Sequence, residues 1–97
     1  MARFELAAEA LADISTIADY TAAEWGAVQA QSYLDALEGR LTELAHRPLL
    51  GRRREELAAG LLCFPFESHV IFYACAGFGI VVVRILHKRQ DPYRHLS

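Results

Sequence analysis

The spacing of apolar positions shifts from strand period to helix period and back along this chain. Arg3 to Leu6 alternates, with Phe4 and Leu6 on one face, and predicts a short strand. From Ala7 the period lengthens. Ala7, Leu11, Ile14, Ala18, Thr21 and Trp25 follow steps of four and three, with Glu9, Asp13 and Asp19 off that line. This is one stripe of an amphipathic helix, and Gly26 supplies its left-handed stop. Ala30, Leu34, Leu37, Leu41 and Leu44 repeat the stepping in a second helix that Pro48 ends. Helices joined this closely pack as an antiparallel hairpin.

Leu49 to Gly60, containing Arg52-Arg53-Arg54-Glu55-Glu56, shows no period and is read as irregular. Leu61 to Phe66 is a strand whose Pro65 marks an edge or a bulge. His69 to Tyr73 and Ile80 to His87 are β-branched and aromatic runs joined by Ala76-Gly77-Phe78-Gly79, which predicts a β-hairpin. The second run opens with consecutive apolar residues, the pattern of a central strand buried on both faces. The order strand, helix, helix, strand, strand, strand defines an α+β fold. A helical hairpin packs on one face of a largely antiparallel sheet.

Composition narrows the class. At 97 residues the chain is one domain spanning 1–97. A hydrophobic share of 54% excludes disorder and is generous for a small monomer, so part of the apolar surface is expected to meet a partner. No apolar run approaches the roughly 18 residues that a membrane span needs. The opening Met1-Ala2-Arg3-Phe4-Glu5 lacks the pattern of a signal peptide, which sets the expectation of a cytoplasmic protein without membrane contact. Charge is unevenly shared. Residues 1–50 hold eight acids and three bases, residues 51–97 seven bases and four acids, so a polarised field is expected.

The residues that usually carry chemistry are sparse. If Phe66 pairs with His69 across Glu67-Ser68, Cys63 faces Phe72 rather than Cys75, so both cysteines are expected to be free, buried and inert. They lack the nearby histidines of a zinc site. No phosphate-binding glycine loop or nucleophile elbow occurs, and no cofactor is implied. The central strand instead delivers Arg84, His87, Lys88 and Arg89 to one end of the sheet, followed by a polar tail with Tyr93, Arg94 and His95. Arg84 is read either as a structural ion pair with Glu67 or Asp91, or as a contact for phosphate or target. The Arg52-Arg53-Arg54 run is expected to be a solvated turn balanced by Glu55 and Glu56. Ile17 and Tyr20 fall beside the first helix's stripe, placed to form part of an apolar groove for a partner.

Taken in order, these segments resemble the ParE toxins of the RelE/ParE superfamily. The resemblance rests on Ala10 to Asp13 with Ile17 and Tyr20, on Trp25-Gly26, on Pro48-Leu49-Leu50-Gly51-Arg52, on His69-Val70-Ile71-Phe72-Tyr73, and on Val83-Arg84-Ile85-Leu86-His87 with Asp91. It runs nearly end to end. It implies the toxic half of a type II toxin–antitoxin pair, inhibiting DNA gyrase by binding and acting without catalysis. The implied partner is a ParD-like, ribbon-helix-helix antitoxin, through which alone operator DNA is met. On this reading Arg84, His87, Lys88, Arg89, Tyr93 and Arg94 meet the target. Ile17, Tyr20, Tyr33 and Leu37 receive the antitoxin. The alternative is a RelE-like, ribosome-dependent mRNA endoribonuclease, with Arg84 on the scissile phosphate and His87 or Tyr93 moving protons.

Overall fold

A computed structural model describes residues 1–96. The chain runs through β1 (Arg3–Leu6), α1 (Ala8–Trp25), α2 (Ala27–His46), a 3₁₀ turn (Pro48–Leu50), β2 (Arg52–Arg53), β3 (Leu61–Phe66), β4 (His69–Ala76), β5 (Gly79–His87) and α3 (Pro92–Leu96). The five strands form one sheet in the order β1-β5-β4-β3-β2. Only the β1–β5 pairing is parallel. The predicted α+β order therefore holds, with two additions. The arginine run read as a solvated turn contributes a two-residue edge strand, Arg52 opposite Cys63 and Arg53 opposite Leu62. The tail closes as a short helix. β2 ends before it reaches Pro65, so the proline lies on a stretch of β3 with no outer neighbour, where its missing N–H costs nothing.

The β3–β4 hairpin follows the register expected of it. Phe66 pairs with His69 across Glu67-Ser68, and Cys63 faces Phe72. Cys63 and Cys75 are free, but only Cys63 is buried. Cys75 is exposed near the Gly77-Phe78 turn, which corrects the expectation of two buried thiols.

The sheet is apolar on both sides. Its inner face carries Leu62, Ile71, Tyr73, Ile80, Val82 and Ile85 against the helical hairpin. Its outer face carries Leu61, Cys63, Phe72 and Leu86, with Leu57, Val70, Val83 and Leu96 packed against them. Leu96 brings α3 onto that outer cluster, so the tail has a packing role that its polarity concealed. Tyr73, fully buried, closes the link between the layers. Its hydroxyl donates to the Pro48 carbonyl at 2.6 Å and accepts from the Gly51 N–H at 2.9 Å. A side chain at position 51 would collide with that hydroxyl, so glycine is required there.

In α2 the predicted stripe holds: Ala30, Leu37, Leu41 and Leu44 are buried, and Leu34 is half-buried. In α1 it is rotated. The core takes Ala10 and Ile17, with Ile14 partly buried, while Leu11 and Trp25 are exposed. The physical reason is that α1 rests against both α2 and β5, so its buried arc is centred near Ile14 and Ile17 and excludes Leu11 and Trp25.

Gly26 ends α1 and begins α2 at φ +93° and ψ 165°. That combination is a glycine-only region, further extended than the left-handed cap expected from sequence. Nothing lies within 4 Å of where a Cβ would stand. Strain is therefore conformational and independent of side-chain size. Gly26→Ala and Gly26→Val are both expected to destabilise by about 1–2 kcal/mol. Thermal denaturation checks this; a loss confined to the valine variant would mean that packing, not backbone conformation, decides.

Candidate functional site

β5 is paired with β1 only from Gly79 to Val82, and the Ala7 N–H caps the Val82 carbonyl at 2.9 Å. Beyond that point the strand has an open edge. A β-bulge lies at the same place: Tyr73 pairs with Val82 and Phe72 with Arg84, leaving Val83 without a partner. The extra residue resets the alternation, so Ile85 enters the inner core and His87 follows it on that side.

Arg84 is thereby turned toward α1. Its Nε and Nη2 donate to the two carboxylate oxygens of Asp13 at 2.8 and 2.9 Å. Asp13 also accepts the Ile85 N–H at 2.9 Å, closing the open strand edge. Both side chains are about 15% exposed or less, and Glu9 stands 3.8 Å from the guanidinium. Asp13 holds the guanidinium pKa above its ordinary value. Arg84 is thus a structural ion pair, with Asp13 rather than with Glu67 or Asp91. A long-range partner in α1 cannot be read from neighbours in sequence. The guanidinium is held against α1.

The remaining cations of the expected target surface do not form one cluster with it. Lys88 and Arg89 lie exposed in the turn after β5, and Tyr93 and Arg94 lie exposed on α3. His87 belongs elsewhere. Its ring stands edge-on to His69 at 5.4 Å, and His69 Nδ1 lies 2.7 Å from the Tyr33 hydroxyl. Burial and the neighbouring His87 hold the His69 pKa below its ordinary value, against a smaller opposing pull from Asp13. Burial, with help from Glu67, pushes the Tyr33 phenol up to about 12. The phenol keeps its proton and can donate it to Nδ1, leaving the imidazole proton on Nε2. His87 Nδ1 accepts the Arg89 N–H at 3.1 Å.

These groups line a groove of about 950 Å³ between the helical hairpin and the end of β5. Ile17, Tyr20 and Tyr33 line it, as does Trp25, with His69 and His87 on the opposite wall. Tyr20 is 64% exposed and Trp25 72%, large apolar area for a chain this size to leave uncovered. Leu37 is placed differently. At 2% exposure it is part of the core and does not line the groove, because α2 turns its leucine line fully inward. The structure therefore brings His87 together with the aromatic residues of α1 and α2. Trp25 and His69, assigned no partner role from the sequence, complete the walls; the surplus tryptophan at the end of the stripe was the available signal. Among the described residues no group of three or more His, Cys, Asp or Glu could hold a metal ion, and no helix is long and apolar enough to cross a membrane.

Two outcomes follow from this geometry. Asp13→Ala strands a largely buried guanidinium and opens the β5 edge, and should cost about 2–4 kcal/mol by chemical denaturation. The double change Asp13→Ala with Arg84→Met should cost less than that single change, since no charge is left unpaired. The depressed His69 pKa has a definite sign. The unfolded chain, with an ordinary imidazole pKa of about 6.5, binds the proton more readily, so this contribution is complete above that value and is lost as pH falls below it. Melting temperatures of the parent should therefore decline from pH 7.5 to pH 5.5 more steeply than those of His69→Gln.

The comparisons with known proteins now bear on this site. The family described as "ParE toxin of type II toxin-antitoxin system, parDE" matches residues 4–92. Toxin ParE1 of Mycobacterium tuberculosis is 37% identical over 95 residues, 97% of each chain. Toxin ParE1 of Caulobacter vibrioides is 32% identical over the full length of both chains. Toxin ParE of Escherichia coli is 38% identical, covering all of this chain and 95% of its own. A chain of the chromosomal ParDE TA system from P. aeruginosa shares the fold, with a TM-score of 0.75 at 20% identity over 90% of this chain and 96% of that one. A family match over nearly the whole length, with relatives above 30% identity end to end, places this chain in the ParE toxin family of type II toxin–antitoxin systems.

Proposed function

We propose that this chain inhibits DNA gyrase by binding, in the cytoplasm, and is neutralised by a ParD-like antitoxin that alone carries the pair to operator DNA. The aromatic groove carries this reading. A helical segment of the antitoxin, disordered until it binds, would lay an apolar face against Tyr20, Tyr33, Trp25 and the exposed edge of Ile17. Leu37 supports that surface from beneath. The target surface is the end of the sheet: His87, Lys88 and Arg89, with Tyr93 and Arg94 on α3. Arg84, clamped by Asp13, fixes the strand that presents them. His87 and His69 act on this view as hydrogen-bonding walls.

The residue-level test has two arms. Tyr20→Asp, at an exposed position, should leave the fold intact and weaken antitoxin binding by about 2 kcal/mol, some thirtyfold in Kd. Calorimetric titration measures it, and unchanged affinity would place the antitoxin elsewhere. His87→Gln, expressed without antitoxin, should retain most of its growth arrest, because a binding inhibitor needs a hydrogen-bonding group at that point and not a proton shuttle. The facing His69 and His87 rings are the one observation favouring the ribonuclease alternative. Complete loss of arrest in a folded His87→Gln protein, with messenger cleavage by the parent in place of DNA breaks, would establish that alternative.

A further inference from the structure

The outer groove of the sheet, about 450 Å³, has Arg52, Arg54 and Lys88 at its rim, but Phe72 and Leu86 beneath it are buried and leave no seat for a side chain. The aromatic groove is different, because its rings are exposed and its wall contains a titratable one. His69 stands there with Nδ1 2.7 Å from the Tyr33 hydroxyl. The Tyr33 ring lies edge-on to the imidazole at 5.9 Å and the His87 ring edge-on at 5.4 Å.

Every neighbouring element brings a titratable or charged group toward this imidazole. The helices supply Asp13 and Tyr20 from α1 and Tyr33 from α2. The sheet supplies Glu67 from the turn before β4, then Arg84 and His87 from β5, with Lys88 and Arg89 following in the turn. Among the described residues that line the groove, Asp13 alone is anionic. Its carboxylate is already engaged by the Arg84 guanidinium and the Ile85 N–H, and its pull on His69 is outweighed by burial and by His87. Glu67 is exposed, so water screens its charge.

A proton on His69 changes this wall in two ways. Nδ1 gains a hydrogen of its own, so the phenol must turn its hydrogen away and accept instead. The ring also gains a charge, which an apolar segment laid over the groove would separate from water. We propose that docking in the aromatic groove is linked to protonation of His69: an apolar partner segment seats on the neutral ring and is released when the ring takes up a proton. The occupant is the antitoxin segment described above, so its identity rests on that reading. Covering the ring holds its pKa further below the ordinary value than burial in the free chain does. Affinity is therefore complete above the free chain's pKa and falls as pH drops through it.

The probe is N-phenylnaphthylamine, uncharged from pH 5.0 to pH 7.5 and brighter in apolar surroundings. It is titrated with the purified chain at a temperature where thermal melts show parent and variants folded at both pH values. Saturable binding is expected at pH 7.5, at least threefold weaker in Tyr20→Asp, and at least threefold weaker in the parent at pH 5.0. In His69→Gln the same change of pH should alter affinity less than twofold. An NMR titration of the His69 Cε1 proton should show its midpoint moving to lower pH under saturating probe. The inference is overturned by absence of saturable binding, by affinity that is constant or tighter at pH 5.0, by a full response in His69→Gln, or by a midpoint that the probe does not move. The partner reading fails separately. A ParD-like antitoxin that binds the chain without displacing the probe at pH 7.5 removes the antitoxin from this groove and leaves the linkage standing.

Discussion

The carboxylate of Asp13 is the point on which the two layers of this molecule are joined. It accepts three hydrogen bonds from β5, two from the Arg84 guanidinium and one from the Ile85 backbone. The last would otherwise be an exposed N–H on an unfinished sheet edge, since β1 stops pairing at Val82. One side chain on α1 therefore replaces the strand that is missing there. It also fixes the rotation of α1, which explains why Ile17 rather than Leu11 or Trp25 enters the core.

Everything proposed for the functional surfaces depends on that rotation. Turning Ile17 inward leaves Tyr20 and Trp25 at the groove, and the bulge at Val83 turns His87 toward them. A strand without the bulge would have kept strict alternation through Val82, Arg84 and Leu86 on one face, burying the arginine. The extra residue carries Arg84 to the edge, where a carboxylate is waiting, and returns Ile85 to the apolar core. The same shift separates the cationic residues that follow one another in sequence. Arg84 becomes structural, while Lys88 rims the outer groove and His87 walls both.

Membership in the ParE toxin family fits a protein of this construction. Both faces of a small sheet are used, one for a helical hairpin and one for a cluster that α3 only partly covers. That leaves two concave surfaces of different character, one aromatic with histidines and one apolar with a basic rim.

Local periodicity alone determined the helical hairpin, the β3–β4–β5 meander, the register across Glu67-Ser68 and the need for glycine at position 26. Each of these is settled by neighbours a few residues apart. The same reasoning placed Ile17 and Tyr20 beside the apolar stripe of the first helix, where both line the groove. It misread what depends on distant contacts. The α1 stripe was displaced because Asp13 meets a strand 71 residues away. Arg52 and Arg53 looked like a solvated turn because their strand exists only through pairing with β3. The tail showed no core role because Leu96 finds its partners across the sheet. A single unpaired residue, Val83, decides which side chains face inward along the last half of β5. No pattern in that run of valines marks it, since valine is equally at home on either face. Only the assembled sheet, with its edge closed by a carboxylate from another layer, makes the choice.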